Sequence, residues 1–268
     1  MKRVLRWLPR LLILGLVLVA LVHCSTRTQT PPLPSGVSKQ HAKLDLAGRS
    51  VSVTLYKPAK DENAPLVVVA HGFTRSKRYM AGWGGHLADQ GFFVVVPTQP
   101  GFADHELNGR VLAALVEQYR GKRRVALMGF SMGGLTTLIA ASKTPVDAWV
   151  GLDPVDMDGS GQKIAATLKI PAAVLRAEPE AWNMQGNARL LAEAFTGPTF
   201  VLKIQGGTHL DAEWPTDLFG QLACGFVHAP QQALFRRHAL AFLRSTLMND
   251  AAAAQLLSEA KSDQALSK

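Results

Sequence analysis

The sequence predicts an α/β domain, a mostly parallel sheet with helices on both faces. Three observations carry that expectation. Short, continuous apolar runs recur along the chain, amphipathic stretches of helix length separate them, and one run turns abruptly through Gly129-Phe130-Ser131-Met132-Gly133 into a further apolar stretch. Uninterrupted apolar runs mark strands buried on both faces, as strands are when crossover helices cover a parallel sheet.

The elements follow in order. Alternation at Val51, Val53 and Leu55 predicts an antiparallel edge strand. The runs Leu66 to Ala70 (LVVVA), Phe92 to Val96 (FFVVV), Val125 to Met128 (VALM) and Ala148 to Leu152 (AWVGL) predict central strands. Ala172 to Leu175 and Thr199 to Ile204 predict two more. Between them, Tyr79 to Gln90, Leu107 to Tyr119, Leu135 to Ser142 and Asn187 to Phe195 have the length of crossover helices, and Gln232 to Met248 closes the domain. With the sharp turn at Ser131, this order fits an α/β-hydrolase fold over residues 43–248. The Ala-rich and Ser-rich stretch 249–268 offers no evident core face and is expected to fray or stay disordered.

The N-terminus reads as a separate unit. Lys2, Arg3, Arg6 and Arg10 precede the apolar run Leu11 to Val22, which is short of the roughly 20 residues a bilayer-spanning helix needs. Residues 1–24 therefore read as a signal peptide or membrane anchor, and export to the cell envelope is expected. Cys24 resembles the acylated cysteine of a bacterial lipoprotein signal, although His23 replaces the small residue such signals prefer; the other reading is that Cys24 merely closes the signal. Residues 25–42, rich in Pro, Ser and Thr, read as a linker.

Composition excludes several classes. Lys and Arg number 29 against 20 Asp and Glu, but four of the basic residues lie before the apolar run, and no basic cluster with interleaved aromatics occurs in the body. A nucleic-acid partner is not expected. Cys24 and Cys224 are the two cysteines, and a chain of 268 residues can bury one large core without a disulfide. There is no HExxH, no paired cysteine, no Asp-rich loop and no Gly-rich nucleotide loop, so neither metal nor cofactor is expected. A monomer is the default.

The turn at Ser131 is the point where chemistry enters. A nucleophile elbow puts a serine in strained backbone between strand and helix, and glycines on either side permit the close approach. A serine hydroxyl needs a base to take its proton, and the base needs a third group to fix its tautomer. In this fold the order is serine, acid, histidine. Five of the eight histidines precede the elbow, leaving His209, His228 and His238. His209, in Gly206-Gly207-Thr208-His209, follows the last strand and is the best base; His238 reads as a surface residue of the final helix. The acid is open between two strand ends. Asp153 follows Ala148 to Leu152, whereas Glu178 and Glu180 follow Ala172 to Leu175. Asp156 reads as a helix cap. The amide of Met132 is the expected oxyanion donor, with a second expected from His71-Gly72-Phe73-Thr74. His71 reads as a support of that loop. Phe73, Met132 and Trp182 are candidates to line a substrate pocket.

The segments GFSMGG, AWVGLDPVD, IPAAVLRAEPEAWN, GGTHLDAEW and CGFVHAPQQALFRRHALAFL resemble the chlorophyllase and platelet-activating-factor-acetylhydrolase branch of the α/β hydrolases, and more distantly cutinase-like polyester hydrolases. The resemblance runs from about Ala64 to Met248. It implies Asp153 as the acid, with Glu180 as the alternative, and the Phe73 amide as the second oxyanion donor. The function it implies is cleavage of small-molecule carboxylic esters. Amide or thioester hydrolysis, acyl transfer, and a silent binding site on the same fold are the alternatives.

Overall fold

A computed structural model of the chain describes residues 30–60 and 62–266. The signal or anchor at 1–24, with Cys24, and the first part of the linker lie outside the described residues. Eight strands form one sheet: β1 (Ser38–Leu46), β2 (Arg49–Lys57), β3 (Leu66–Ala70), β4 (Phe93–Pro97), β5 (Val125–Phe130), β6 (Ala148–Leu152), β7 (Ala172–Arg176) and β8 (Thr199–Lys203). Their order across the sheet is β1-β2-β4-β3-β5-β6-β7-β8. β1 and β2 pair antiparallel at one edge, and β3 through β8 are parallel throughout.

The helices are α1 (Ala81–Asp89), α2 (His105–Arg120), α3 (Met132–Ala141), α4 (Ser160–Ala165), α5 (Ala188–Ala194), α6 (Leu218–Cys224), α7 (Ala229–Met248) and α8 (Ala251–Leu266). Because successive strand residues point to opposite faces, each apolar run feeds two cores. Val67, Val69, Met128, Phe130 and Leu175 pack with Trp83 and Leu87 of α1 and with Phe235 and Leu243 of α7. Leu66, Val68, Leu127 and Val174 pack on the other face with Leu112 and Leu115 of α2, Leu138 of α3 and Leu191 of α5. At roughly 1.5–3 kcal/mol for each large side chain fully buried, these two layers supply the main drive for folding.

Two boundaries differ from the sequence reading. β1 begins at Ser38, inside the stretch read as linker at 25–42, and Ser38 pairs with Lys57. Its first four residues are exposed and polar, so the ladder alone makes them a strand and no apolar alternation marks them. The stretch 249–268 was expected to lack a core face, yet it contains α8, whose Ala253 and Leu257 are buried against the core shared with α7. Asn249, with φ 58°, turns the chain, and Asp250 caps the new helix by accepting from the amide of Ala253 at 3.1 Å. Among the described residues no helix is long and apolar enough to cross a membrane.

Candidate active site

Ser131 sits between β5 and α3 with φ 54° and ψ −128°, a left-handed conformation that a non-glycine residue adopts only when its surroundings impose it. The surroundings are glycines and backbone. A Cβ on Gly129 would stand 2.2 Å from the carbonyl oxygen of Gly133, and one on Gly133 would stand 2.6 Å from the carbonyls of both Ala70 and His71. On Gly134 it would meet Pro154 Cβ at 2.5 Å. Only hydrogen fits at all three. The Ser131 backbone is pinned as well: its N–H donates to Leu152 O at 3.1 Å, and its carbonyl accepts from Gly134 at 2.9 Å and Val155 at 3.1 Å.

His209 opens a short 3₁₀ turn, His209–Ala212, beyond β8. The turn is fixed by a reciprocal cap in which Asp211 accepts from the amide of Thr208 at 2.7 Å. The ring reaches back over the sheet, with Nε2 3.0 Å from Ser131 Oγ and Nδ1 2.6 Å from Asp153 Oδ2. Its face lies 4.8 Å from the Phe130 ring, centroid to centroid. A carboxylate at Nδ1 holds the proton on that nitrogen and leaves Nε2 to accept from the hydroxyl. Asp153 is fully buried, and a buried carboxylate needs donors to offset the loss of water. It has two besides the imidazole: the Ala177 amide at 2.9 Å on Oδ1 and the Asn183 side-chain amide at 3.0 Å on Oδ2.

The other carboxylates are engaged elsewhere. Glu180 accepts from the backbone N–H of His209 at 3.4 Å, and its side chain caps the short turn Ala181–Asn183. Burial raises its pKa, opposed by that backbone contact. Glu178 pairs with Lys203 at 2.8 Å, which holds it below the usual carboxylate range. Asp156 accepts from the Gly161 and Gln162 amides at the start of α4. His228 lies 3.5 Å from Asp211. His238, read as a surface residue, is buried: its Nδ1 bonds to Leu234 O at 2.8 Å and its ring stacks on Phe200. α7 packs over β8 at that point, which its sequence alone does not reveal.

The loop after β3 passes directly beside the serine. A Cβ on Gly72 would stand 3.0 Å from Ser131 Cβ, and Phe73 is the next residue of the loop. Met132 is the first residue of α3, where backbone N–H groups have no partner inside the helix. His71 is buried and uses both ring nitrogens, Nδ1 donating to Gly72 O at 2.8 Å and Nε2 accepting from the Gln99 amide at 3.0 Å. Burial pulls it down to about 4, so the ring is a neutral brace.

A pocket of about 80 Å³ opens beside this loop, its wall including Phe73, Phe102, Met132, Gln99 and Asn108. Trp182 does not line it; the side chain stands 55% exposed after β7. Its neighbour Asn183 is the residue the sequence reading missed. Fully buried, Asn183 donates to Asp153 and to Glu178 O while accepting from the Glu180 and Gly186 amides. The Glu-x-x-Asn spacing of Glu180 and Asn183 is the signal that could have found it, being that of a side-chain capping pair.

A buried ion network ties the two loops together. Arg75 pairs with Glu213 at 2.9 Å and with Asp217 at 3.1 Å, and Tyr79 donates to the same Asp217 oxygen. Asp217 also caps α6 through the Gly220 amide at 2.7 Å. Burial pushes Glu213 up to about 8 against the pull of Arg75. Among the described residues no group of His, Cys, Asp and Glu could hold a metal ion. Burial raises the Cys224 thiol to about 11 and keeps it protonated.

Comparison with known proteins bears on this arrangement. The chain is 31% identical over 133 residues to a bis(hydroxyethyl) terephthalate hydrolase of Streptomyces coelicolor, an alignment covering 45% of this chain and 43% of that protein. It is 24% identical over 208 residues to cutinase 1 of Thermobifida cellulosilytica, covering 72% of this chain and 79% of the relative. The same identity relates it to a cutinase of Thermobifida fusca, covering 72% and 68%. The profile of the alpha/beta hydrolase family matches residues 67–266, from β3 to the end of α8. The chain belongs to the alpha/beta hydrolase family.

Proposed function

We propose that this protein is an exported serine hydrolase that cleaves carboxylic esters through an acyl-enzyme. The single observation that carries the reading is the unbroken line Ser131 Oγ, His209 Nε2, His209 Nδ1, Asp153 Oδ2, with separations of 3.0 and 2.6 Å. Ser131 Oγ attacks the ester carbonyl as its proton passes to His209 Nε2, and Asp153 stabilises the imidazolium that forms. The tetrahedral oxyanion is held by the amides of Met132 and Phe73. His209 returns the proton to the leaving alkoxide, which departs as the alcohol. Water then attacks the acyl-serine, gives a proton to His209, and releases the carboxylic acid and the free hydroxyl. No cofactor or metal takes part.

The relatives' names support an ester as the scissile group: bis(hydroxyethyl) terephthalate is a diester, and cutinases recur among the relatives. Export is inferred from the basic and apolar N-terminal stretch. Replacement Ser131→Ala tests the chemistry. Turnover of short p-nitrophenyl esters should fall by about 10⁴-fold or more with the thermal midpoint little changed. Undiminished turnover in the variant would remove Ser131 from the reaction.

A further inference from the structure

A second cleft, of about 330 Å³, opens where β8 ends the sheet, between that strand and the helices α7 and α8. It shares no residue with the pocket beside Ser131. Its floor is aliphatic, with Leu202 and Ile204 from β8, Leu234 from α7 and Leu256 from α8. Leu202 and Ile204 belong to the core that α7 covers, so the cleft is a part of that core left unfilled. The reason lies in α8. Ala253 and Leu257 pack into the core, but at the next position on the same face the helix carries Ala260, whose methyl is too short to close the gap. The volume is about twice that of an apolar cavity able to take benzene, so an occupant of about ten carbon atoms fits.

The polar groups of the cleft say what kind of occupant suits it. His238 lines the cleft and is 7% exposed, with Nδ1 2.8 Å from Leu234 O and its ring stacked on Phe200 at 21°. Its orientation is therefore fixed. A carbonyl can only accept, so Nδ1 carries the hydrogen, and Nε2 on the far edge of the ring is left with a lone pair. Burial pulls the pKa of the ring down, and Arg237 beside it adds to that pull against the bond to Leu234 O. The ring is neutral at pH 7 and Nε2 accepts. An acceptor set in an aliphatic wall is matched by a group that donates, above all an O–H. The charges favour a neutral molecule. Arg237 and Glu259 bring one charge of each sign to the rim, and Lys203 is paired with Glu178 at 2.8 Å. With these balanced, neither a carboxylate nor an ammonium recovers the cost of leaving water.

We propose that this cleft is a binding site for a neutral aliphatic alcohol, its hydroxyl donating to His238 Nε2 and its hydrocarbon lying on Leu202, Ile204, Leu234 and Leu256. Apolar burial supplies the affinity and the single hydrogen bond supplies the selectivity. An alcohol is also the class of product that ester cleavage releases beside the acid. That link rests on the ester-hydrolase reading; the site does not.

Photolabelling of the full chain with a diazirine-bearing octanol, read by peptide mass spectrometry, tests it. Adducts should fall on the segments that hold Leu234 and Leu256, equally in the parent and in Ser131→Ala. Excess 1-octanol should lower them roughly fivefold or more, while octanoate or octylamine at the same concentration lowers them by less than about twofold, because each brings a charge. Ala260→Phe, which fills the cleft from α8, should cut the labelling roughly tenfold. His238→Phe keeps the ring but drops Nε2, and should weaken competition by 1-octanol roughly fivefold. Arg237→Gln, at an exposed position that folding does not depend on, should leave that competition unchanged. Adducts confined to the loops of Phe73 and Phe102, or labelling that survives Ala260→Phe, overturns the site. Octanoate competing as well as 1-octanol, or binding lost in Arg237→Gln, overturns it in favour of an anion. Labelling as expected in a protein that hydrolyses no ester keeps the site and removes its link to the reaction alone.

Discussion

At Asp153 the decisive property is not the carboxylate itself but the company it keeps. Asp153 and Glu180 both follow a central strand, and both lie near His209, yet Asp153 meets the ring and Glu180 meets the backbone. An amide in place of the orienting acid favours the wrong imidazole tautomer, at a cost of about 10⁴-fold in kcat. Asp153→Asn should show a loss of that order on a soluble ester, and Glu180→Gln less than about tenfold, because Glu180 can affect the ring only through the turn it caps. Steady-state kinetics on the two variants check this, and a crippled Glu180→Gln beside an active Asp153→Asn would reverse the assignment. The residues legible in the sequence were those with a local signature. Ser131 announces itself through its flanking glycines and His209 through its place after the last strand. Asn183 does not, because its role depends on reaching Asp153, 30 positions earlier.

Among the elements, the buried network around Arg75 joins the loop that carries Phe73 to the turn that carries His209. Arg75 donates its backbone N–H to Gly72 O at 3.3 Å, and Glu213 donates its own to Leu210 O at 3.0 Å, so both ends of the ion pair belong to the loops they brace. Removing the guanidinium leaves Asp217 buried without its counter-charge and Glu213 without its donor, at about 3–5 kcal/mol. Arg75→Met should therefore lower the denaturant midpoint with little change in m, and the further change Asp217→Asn should recover part of the loss. A midpoint equal to the parent's would show that the network braces nothing. No sequence pattern announces a pair 138 residues apart. β1 and α8 were obscured for the opposite reason, being too polar or too Ala-rich locally to reveal the partners that order them. The central strands were readable because burial on both faces writes itself into every residue of the run.

Over the whole molecule, folding stability should carry the mark of His71. The folded ring is held near a pKa of about 4, against 6.5 for the free side chain. Below 6.5 the unfolded chain takes up a proton that the folded chain refuses, so stability is lost as pH falls from 6.5 toward 4, by up to about 3 kcal/mol. Thermal denaturation across that window should show the slope, and His71→Gln should flatten it; an unchanged slope would assign the acid sensitivity to other groups. All of the proposed chemistry depends on one activated hydroxyl. The most direct test is to treat the full chain with a fluorophosphonate and locate the adduct by peptide mass spectrometry. The account predicts a single phosphonyl group on Ser131, absent from His209→Ala on the same timescale. An adduct on a different residue, or none on the parent protein, would contradict it.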